Sequence, residues 1–127
     1  MARTPAELGK SEWTLMESLW ERGAGTATDL QRALEPSQGW AYSTVKTMLD
    51  RLVDKGFVKA RRVGNVYEYS PRVKRESVVS RVMEDVVGRM LEGSVAAFVD
   101  RLLEDRKLSH KEVTELREIL AKHREEE

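Results

Sequence analysis

The stretch from Ser43 to Pro71 decides the fold, because it joins a helix to a β-hairpin. Its first part, Ser43-Thr-Val-Lys-Thr-Met-Leu-Asp-Arg-Leu-Val-Asp-Lys-Gly56, repeats apolar residues at helical spacing and ends on glycine, which predicts a helix over 43–55. Its second part, Phe57-Val-Lys-Ala-Arg-Arg-Val-Gly-Asn-Val-Tyr-Glu-Tyr-Ser-Pro71, predicts strands over 57–63 and 66–70. The dipeptide Gly64-Asn65 between them is typical of a tight hairpin turn.

Two further helices are predicted before this stretch. A helix over 12–21 carries Trp13 and Trp20 on its apolar face, where core packing is their expected role. Thr26 is placed to cap a short second helix, which Pro36, Ser37 and Gly39 are expected to end. The order helix, helix, helix, hairpin is that of a winged helix-turn-helix, in which the third helix enters the DNA major groove and the hairpin is the wing.

The texture of the sequence changes after Pro71. Long amphipathic runs predict helices over 74–91, 94–106 and 109–126, the last opened by a capping box, Ser109-His-Lys-Glu112. The expected fold class is therefore mainly α with a small β-hairpin wing. We expect a winged-helix DNA-binding domain over 1–73 and a helical dimerisation domain over 74–127.

The composition excludes several classes of function. Cysteine is absent, which removes disulfides, thiolate metal sites and cysteine nucleophiles. The only two histidines, His110 and His123, lie thirteen residues apart in one predicted helix, too far for joint metal binding. No catalytic constellation, phosphate loop or dinucleotide fingerprint is present, so we expect neither an enzyme nor a cofactor. No apolar run reaches the length of a membrane span and no signal-peptide pattern opens the chain, so a cytoplasmic protein without membrane insertion is expected.

The charge pattern points to double-stranded DNA. The chain holds 22 basic and 22 acidic residues, but residues 40–73 hold seven basic and three acidic ones, a local net charge of +4. Basic groups neutralise phosphates, while polar groups at the start of a recognition helix reach base edges. The predicted DNA-binding residues are Tyr42, Ser43, Thr44, Lys46, Thr47, Arg51, Arg61, Arg62 and Asn65.

Alternatives stay open for these residues. Thr44, Lys46 and Thr47 are candidates to read bases, with Lys46 donating to guanine, but contacts to phosphate alone are nearly as compatible with the pattern. Arg51 suits a phosphate or an ion pair along its helix. Basic residues on edge strands also block aggregation, and some winged domains bind protein, so a protein-interaction module that does not bind DNA is the alternative function.

The helices after Pro71 predict a homodimer. Their apolar stripes are longer than a domain of this size can cover, and a two-fold partner would cover them while placing two recognition helices about one DNA turn, roughly 34 Å, apart. Folding back onto the winged domain as a monomer is the other possibility. The predicted interface residues are Val79, Val82, Met83, Val86, Met90, Phe98, Leu102, Leu116 and Leu120.

Three stretches resemble the penicillinase-repressor (BlaI/MecI/CopY) family of transcriptional regulators. They are Leu8-Gly-Lys-Ser-Glu-Trp-Thr-Leu-Met16, Thr44-Val-Lys-Thr-Met-Leu-Asp-Arg-Leu-Val-Asp-Lys-Gly56 and Val66-Tyr-Glu-Tyr-Ser-Pro71. The resemblance implies a homodimeric repressor that binds a palindromic operator through the winged domain and dimerises through the C-terminal helices. It also implies, for the antibiotic-resistance members, a membrane sensor-protease as an inactivating partner.

The chain departs from the family at three places. Where the resistance members are cut at an Asn-Phe bond, the aligned pair is Arg101-Leu102. The cysteine cluster of the copper-responsive branch is absent, which excludes that kind of metal sensing. Tyr42 and Ser43 stand where the resistance repressors carry Pro and Lys, so the resemblance does not carry over their operator sequence to this chain.

Overall fold

The computed structural model of the chain describes residues 7–90 and 94–124, except for the side chain of Met90. The described part contains six helices and a three-stranded antiparallel sheet. It forms two compact units, and the division falls after Ser80. The mainly α fold with a small β-hairpin wing, predicted from the sequence, is confirmed.

Three helices precede the hairpin, in the predicted order: α1 (Lys10–Arg22), α2 (Ala27–Gln38) and α3 (Tyr42–Lys55). Each begins one or more residues earlier than predicted or extends further, as is usual for element ends. Local polar contacts fix the starts of α1 and α2. The Thr26 hydroxyl accepts from the Asp29 amide at 3.1 Å, and the Asp29 carboxylate accepts from the Thr26 amide at 3.0 Å, which confirms Thr26 as the cap of α2.

Of the residues predicted to end α2, only Gly39 does so. Pro36 lies inside the helix, and the chain continues helically to Gln38. Gly39 ends the helix instead, with a φ of 65° and its amide bonded to the Glu35 carbonyl at 2.9 Å. A proline in the last turn removes only one hydrogen bond of the ladder, and the glycine that can adopt the left-handed conformation decides where the helix stops.

The sheet contains a strand that the sequence analysis did not predict. The hairpin strands are β2 (Val58–Val63) and β3 (Val66–Pro71), and a two-residue strand, β1 (Gly25–Thr26), pairs with the other edge of β3. The order is β1-β3-β2, all antiparallel, so β3 is central. A strand of two residues is too short to show the alternation of apolar and polar side chains by which strands are predicted. β1 forms because the fold brings it beside β3.

The helices and the sheet enclose one core in the first unit. Trp13 and Trp20 are half-buried and pack against it, as predicted for packing residues, and Trp40 packs against it as well. Trp13 and Trp20 meet edge to face with centroids 5.7 Å apart, and the Trp20 indole donates to the Val73 carbonyl at 2.9 Å. The most completely buried side chains are Leu15, Met16, Leu19, Leu30, Val45, Leu49, Leu52, Val58 and Tyr69.

The helices after the hairpin are α4 (Arg75–Met90), α5 (Val95–Asp105) and α6 (His110–Arg124), and the unit boundary falls within α4. The predicted capping box of α6 is confirmed, since the Ser109 hydroxyl accepts from the Glu112 amide at 3.1 Å. The predicted ends at 91 and 126 lie outside the described residues. None of the residues described from Arg81 onward is buried.

Candidate nucleic-acid interface

Helix α3 presents two sharply different faces. One face is built into the core through Val45, Leu49 and Leu52, each with no exposed surface. The opposite face leaves Ser43, Thr47 and Arg51 exposed, and Thr44 is exposed beside them. These are short polar groups followed, one turn on, by a guanidinium, the residue types that reach base edges and phosphates in a major groove. Because the core fixes the apolar face of α3, the polar face is held toward the solvent.

The start of α3 is open to solvent. Tyr42 begins the helix and is 52% exposed. The preceding residue is Ala41, and within the described chain no side chain caps the first turn. The amide groups of that turn are therefore left for water or an external acceptor, and the helix dipole makes an anionic acceptor favourable.

Lys46 lies off the exposed face, toward the sheet. Its ammonium is 2.8 Å from both carboxylate oxygens of Asp50 and 5.7 Å from the centre of the Tyr69 ring. The Tyr69 hydroxyl in turn donates to Asp50 Oδ1 at 3.2 Å. The hydrogen bond to Asp50, followed by that to Tyr69, raises the pKa of Lys46 above its ordinary value. Lys46 is thus a charged group already paired inside the chain, and the contact of this pair with Tyr69 is the part that the sequence did not indicate.

The wing sends its two arginines to opposite sides, as strand alternation requires. Arg61 stands opposite Glu68 and pairs with it across the strands at 3.2 Å. Arg62 stands opposite Tyr67, and its Nε donates to the Gly64 carbonyl at 3.2 Å. Both arginines, like Asn65 at the turn, are exposed. The arginine on the DNA side would therefore meet phosphate, and the other would be a solvated surface group.

A shallow depression brings part of the predicted site together. It lies between the start of α2, the start of α3 and the wing, and its lining includes the predicted residues Tyr42, Lys46 and Asn65. Thr28 and Tyr67 line it too, and neither was a predicted site residue. Tyr67 could have been found from its place on the same strand face as Tyr69, whereas Thr28 carries no signal of its own. Arg51, Arg61 and Arg62 do not line this depression.

A match to a family model adds to this geometry. The model described as "Penicillinase repressor" matches residues 8–122, which is most of the chain. The chain belongs to the penicillinase repressor family. Members of this family are DNA-binding transcriptional repressors and not enzymes, so both of these predictions from the sequence are confirmed at that level.

The sequence similarity to known proteins extends over nearly the whole chain. An uncharacterized 16.5 kDa protein of Latilactobacillus sakei is 31% identical over 94% of this chain and 82% of its own length. The penicillinase repressor of Bacillus licheniformis is 25% identical over 93% of this chain and 92% of its own. The methicillin resistance regulatory protein MecI of Staphylococcus aureus is 24% identical over 91% of this chain and 94% of its own length.

Solved structures support the same fold for the winged unit. The DNA-binding domain of the repressor BlaI matches with a TM-score of 0.52 and 25% identity, covering 59% of this chain and 90% of that one. Wild-type MarR from E. coli shares the fold at 20% identity and a TM-score of 0.52, and the match covers 91% of this chain and 76% of the MarR chain.

Over residues 7–90 and 94–124, no helix combines the length and apolar character that a bilayer crossing needs.

Proposed function

We propose that this chain is a homodimeric transcriptional repressor that acts in the cytoplasm and binds a palindromic DNA operator, each winged-helix unit occupying one half-site. The observation that carries the DNA-binding part is the exposed polar face of α3, which the core holds outward beside the wing. Family membership supports the same function. A BlaI of Bacillus licheniformis, which shares this fold, was solved in complex with the blaP half-operator.

The contacts fall into two classes. Arg51 and one of the wing arginines, Arg61 or Arg62, neutralise phosphates and supply salt-dependent affinity that is independent of sequence. Ser43, Thr44, Thr47 and Lys46 supply hydrogen bonds to base edges and hence discrimination. Tyr42 and Asn65 lie at the rim of the depression, where their polar groups are placed for the backbone of the duplex.

The second unit supports the dimer. Exposed apolar side chains are concentrated there, including Val82 at 49%, Leu102 at 47% and Leu120 at 70% exposure. Since none of the residues described from Arg81 onward is buried, the described part of this unit has no core of its own within one chain. Apolar surface left open in this way marks an interaction site, and a second copy would bury it. Val79, Met83, Val86, Phe98 and Leu116 are proposed members of the same interface; Met90 is proposed too, and its side chain lies outside the described residues.

Fluorescence anisotropy with a labelled random duplex at low salt tests the DNA-binding part. The wild-type chain is expected to bind, with affinity falling steeply as salt rises. Arg51→Ala and, with Arg62 as the wing arginine that faces DNA, Arg62→Ala are each expected to weaken binding to every duplex and to reduce the salt slope by about one unit per lost phosphate contact. An unchanged slope in both variants contradicts the assigned phosphate contacts. A wild-type chain that binds no duplex favours the protein-interaction module.

Sedimentation tests the dimer. Val82→Glu would bury an unpaired charge in the proposed interface and is expected to yield monomers. Val63→Glu is the matched control, because Val63 is an equally exposed valine, at 45%, on the wing of the first unit. Intact dimers of Val82→Glu at micromolar concentration would show that the interface lies elsewhere.

A membrane sensor-protease is the inactivating partner that we propose from the family resemblance. Arg101 and Leu102 lie inside α5, and both are exposed in the single chain. Because a protease needs an extended substrate, a cut at this bond requires α5 to open locally. The intact mass of the protein recovered from induced cells tests this step. Fragments ending at Arg101 support it, and an uncut chain released from DNA contradicts it.

A further inference from the structure

Three side chains form one hydrogen-bonded chain from the centre of the sheet to the surface of α3. Tyr69 lies on the central strand β3, opposite Gly25 of β1 and Ala60 of β2. Its hydroxyl donates to Asp50 at 3.2 Å, and both oxygens of Asp50 accept from the Lys46 ammonium at 2.8 Å. The ammonium also lies 5.7 Å from the Tyr69 ring centre, within the range of a cation–π contact.

Tyr69 is the fixed end of this chain. It is 2% exposed, whereas the side chains of Lys46 and Asp50 are 37% and 55% exposed. A solvent-exposed pair of this i,i+4 type is worth only about 0.3–0.5 kcal/mol and does not by itself hold two long side chains in one geometry. The hydroxyl of a buried side chain, on a strand that is paired on both edges at Tyr69, supplies the fixed point that the pair lacks.

The hydrogen bonds leave Lys46 with a defined capacity. An ammonium has three N–H donors; the two oxygens of Asp50 lie at the same distance and share one of them, and Tyr69 takes another. One N–H remains for an external acceptor. The net charge of the Lys46–Asp50 pair is close to zero, so the pair adds little to the neutralisation of phosphates. Its contribution to binding depends on where the remaining N–H of Lys46 points.

We propose that Tyr69 is a positioning residue for DNA recognition, which fixes Asp50 and thereby sets where Lys46 delivers its remaining N–H to a base edge. This inference rests on the proposed function. O6 and N7 of guanine are the commonest major-groove acceptors for a lysine ammonium. Through this chain the wing strand contributes to sequence selectivity without touching a base, and it does so independently of the affinity for random DNA.

Tyr69→Phe isolates the effect, because it keeps the buried ring and removes only the hydroxyl. The full-length wild-type chain first selects its preferred duplex from a random library. Affinities for that duplex and for a random duplex are then measured over a range of salt concentrations. We expect the ratio of the two affinities to fall about three- to tenfold in Tyr69→Phe and about tenfold or more in Lys46→Ala, with the salt slope unchanged in Tyr69→Phe. In the double variant, Tyr69→Phe is expected to add no further loss.

Two variants separate positioning from a merely structural role. Asp50→Ala breaks the same chain at its middle and is expected to lower the ratio like Tyr69→Phe. Trp20→Phe removes a hydrogen bond of the same unit, from the indole to Val73, at a distance from α3 in sequence, and is expected to leave the ratio unchanged. Thermal melting shows that each variant is folded at the assay temperature.

The outcomes distinguish this inference from the proposed function. A wild-type chain that selects no duplex overturns the proposed function, and this inference with it. A selective wild-type chain whose ratio is unchanged in Tyr69→Phe and Asp50→Ala overturns the inference alone. So does a Tyr69→Phe variant that loses affinity equally for the selected and the random duplex, because that is the signature of a structural defect.

Discussion

Replacing Lys55 by methionine removes the cation that pairs with a buried carboxylate. The Lys55 ammonium donates to Glu12 Oε1 at 2.7 Å and to the Glu7 carbonyl at 2.9 Å, joining the end of α3 to the start of α1. The Glu12 side chain is only 7% exposed, and its Oε2 accepts no hydrogen bond from the residues described. Methionine keeps most of the apolar stem, so the change isolates the charge.

The expected loss follows from what remains around the carboxylate. Removing one partner of a buried ion pair costs about 3–5 kcal/mol. Here the Gly9 amide still donates to Glu12 at 2.9 Å, and the Lys55 side chain is 26% exposed, so water can reach the site from that side. We therefore expect Lys55→Met to lower the free energy of unfolding by about 2–3 kcal/mol at pH 7, below the range for full burial.

The loss depends on pH in a defined direction. Burial raises the pKa of Glu12, but the hydrogen bonds from Lys55 and Gly9 and the charges of Lys55 and Arg51 outweigh it and hold the pKa below 4.5. The stability that the ionised carboxylate contributes is thus present above pH 4.5 and is lost as the pH falls through the lowered pKa. Without Lys55 two of the influences that lower the pKa of Glu12 are gone while burial, the largest influence, still raises it, so Glu12 takes up its proton more readily and the penalty of the variant shrinks at low pH.

Urea unfolding followed by tryptophan fluorescence measures this loss at pH 7 and pH 3.5, at one fixed protein concentration because a dimer would make stability concentration-dependent. Arg75→Met is the matched control. Its ion pair with Glu17 has a similar length, 2.8 Å, but is 51% and 40% exposed, so about 0.5 kcal/mol or less is expected. A Lys55→Met loss below about 1 kcal/mol at pH 7, or an equal loss at both pH values, would refute the reasoning.

Three further changes test local features by thermal or urea unfolding. Thr26→Ala removes the hydroxyl that accepts from the Asp29 amide and is expected to cost about 1 kcal/mol; no change would mean that water replaces the cap. Trp20→Phe removes the 2.9 Å hydrogen bond to the Val73 carbonyl and should lower the free energy of unfolding by about 1 kcal/mol. A variant as stable as the wild type would contradict a stabilising role for this bond. Gly64→Ala forces a side chain into a backbone with a φ of 64° and is expected to cost about 1–2 kcal/mol, whereas Gly88→Ala, in a helix with open space around it, should be neutral or stabilising.

Most of the fold could be predicted because its signals are local. The caps at Thr26 and Ser109 need only residues three positions apart, and the hairpin needs only Gly64-Asn65 between two apolar runs. The buried stripe of α3 follows from helical spacing alone. The end of α2 was wrong at Pro36 because two helix-ending signals competed, and the left-handed glycine at Gly39 decided it.

The remaining features depend on contacts that are distant in sequence. Lys55 and Glu12 are 43 positions apart, and Tyr69 reaches Asp50 across 19 positions. From its neighbours in sequence alone, each of these residues is predicted to be an ordinary surface charge or an aromatic residue of a strand. Asp50 illustrates the limit: its spacing from Lys46 predicts an i,i+4 pair, but nothing local shows that a buried tyrosine holds that pair.

The position of β3 explains why the wing can influence recognition. Its Tyr69 pairs with Gly25 and its Glu68 with Thr26, the residue that caps α2, while β2 occupies its other edge. The start of α2, the wing and the wing-facing side of α3 are therefore tied to one strand. A shift of the hairpin against α3 would break both the sheet pairing and the bond from Tyr69 to Asp50. Binding to a duplex thus requires little reordering between helix and wing, and an interface organised before binding loses less entropy when it forms.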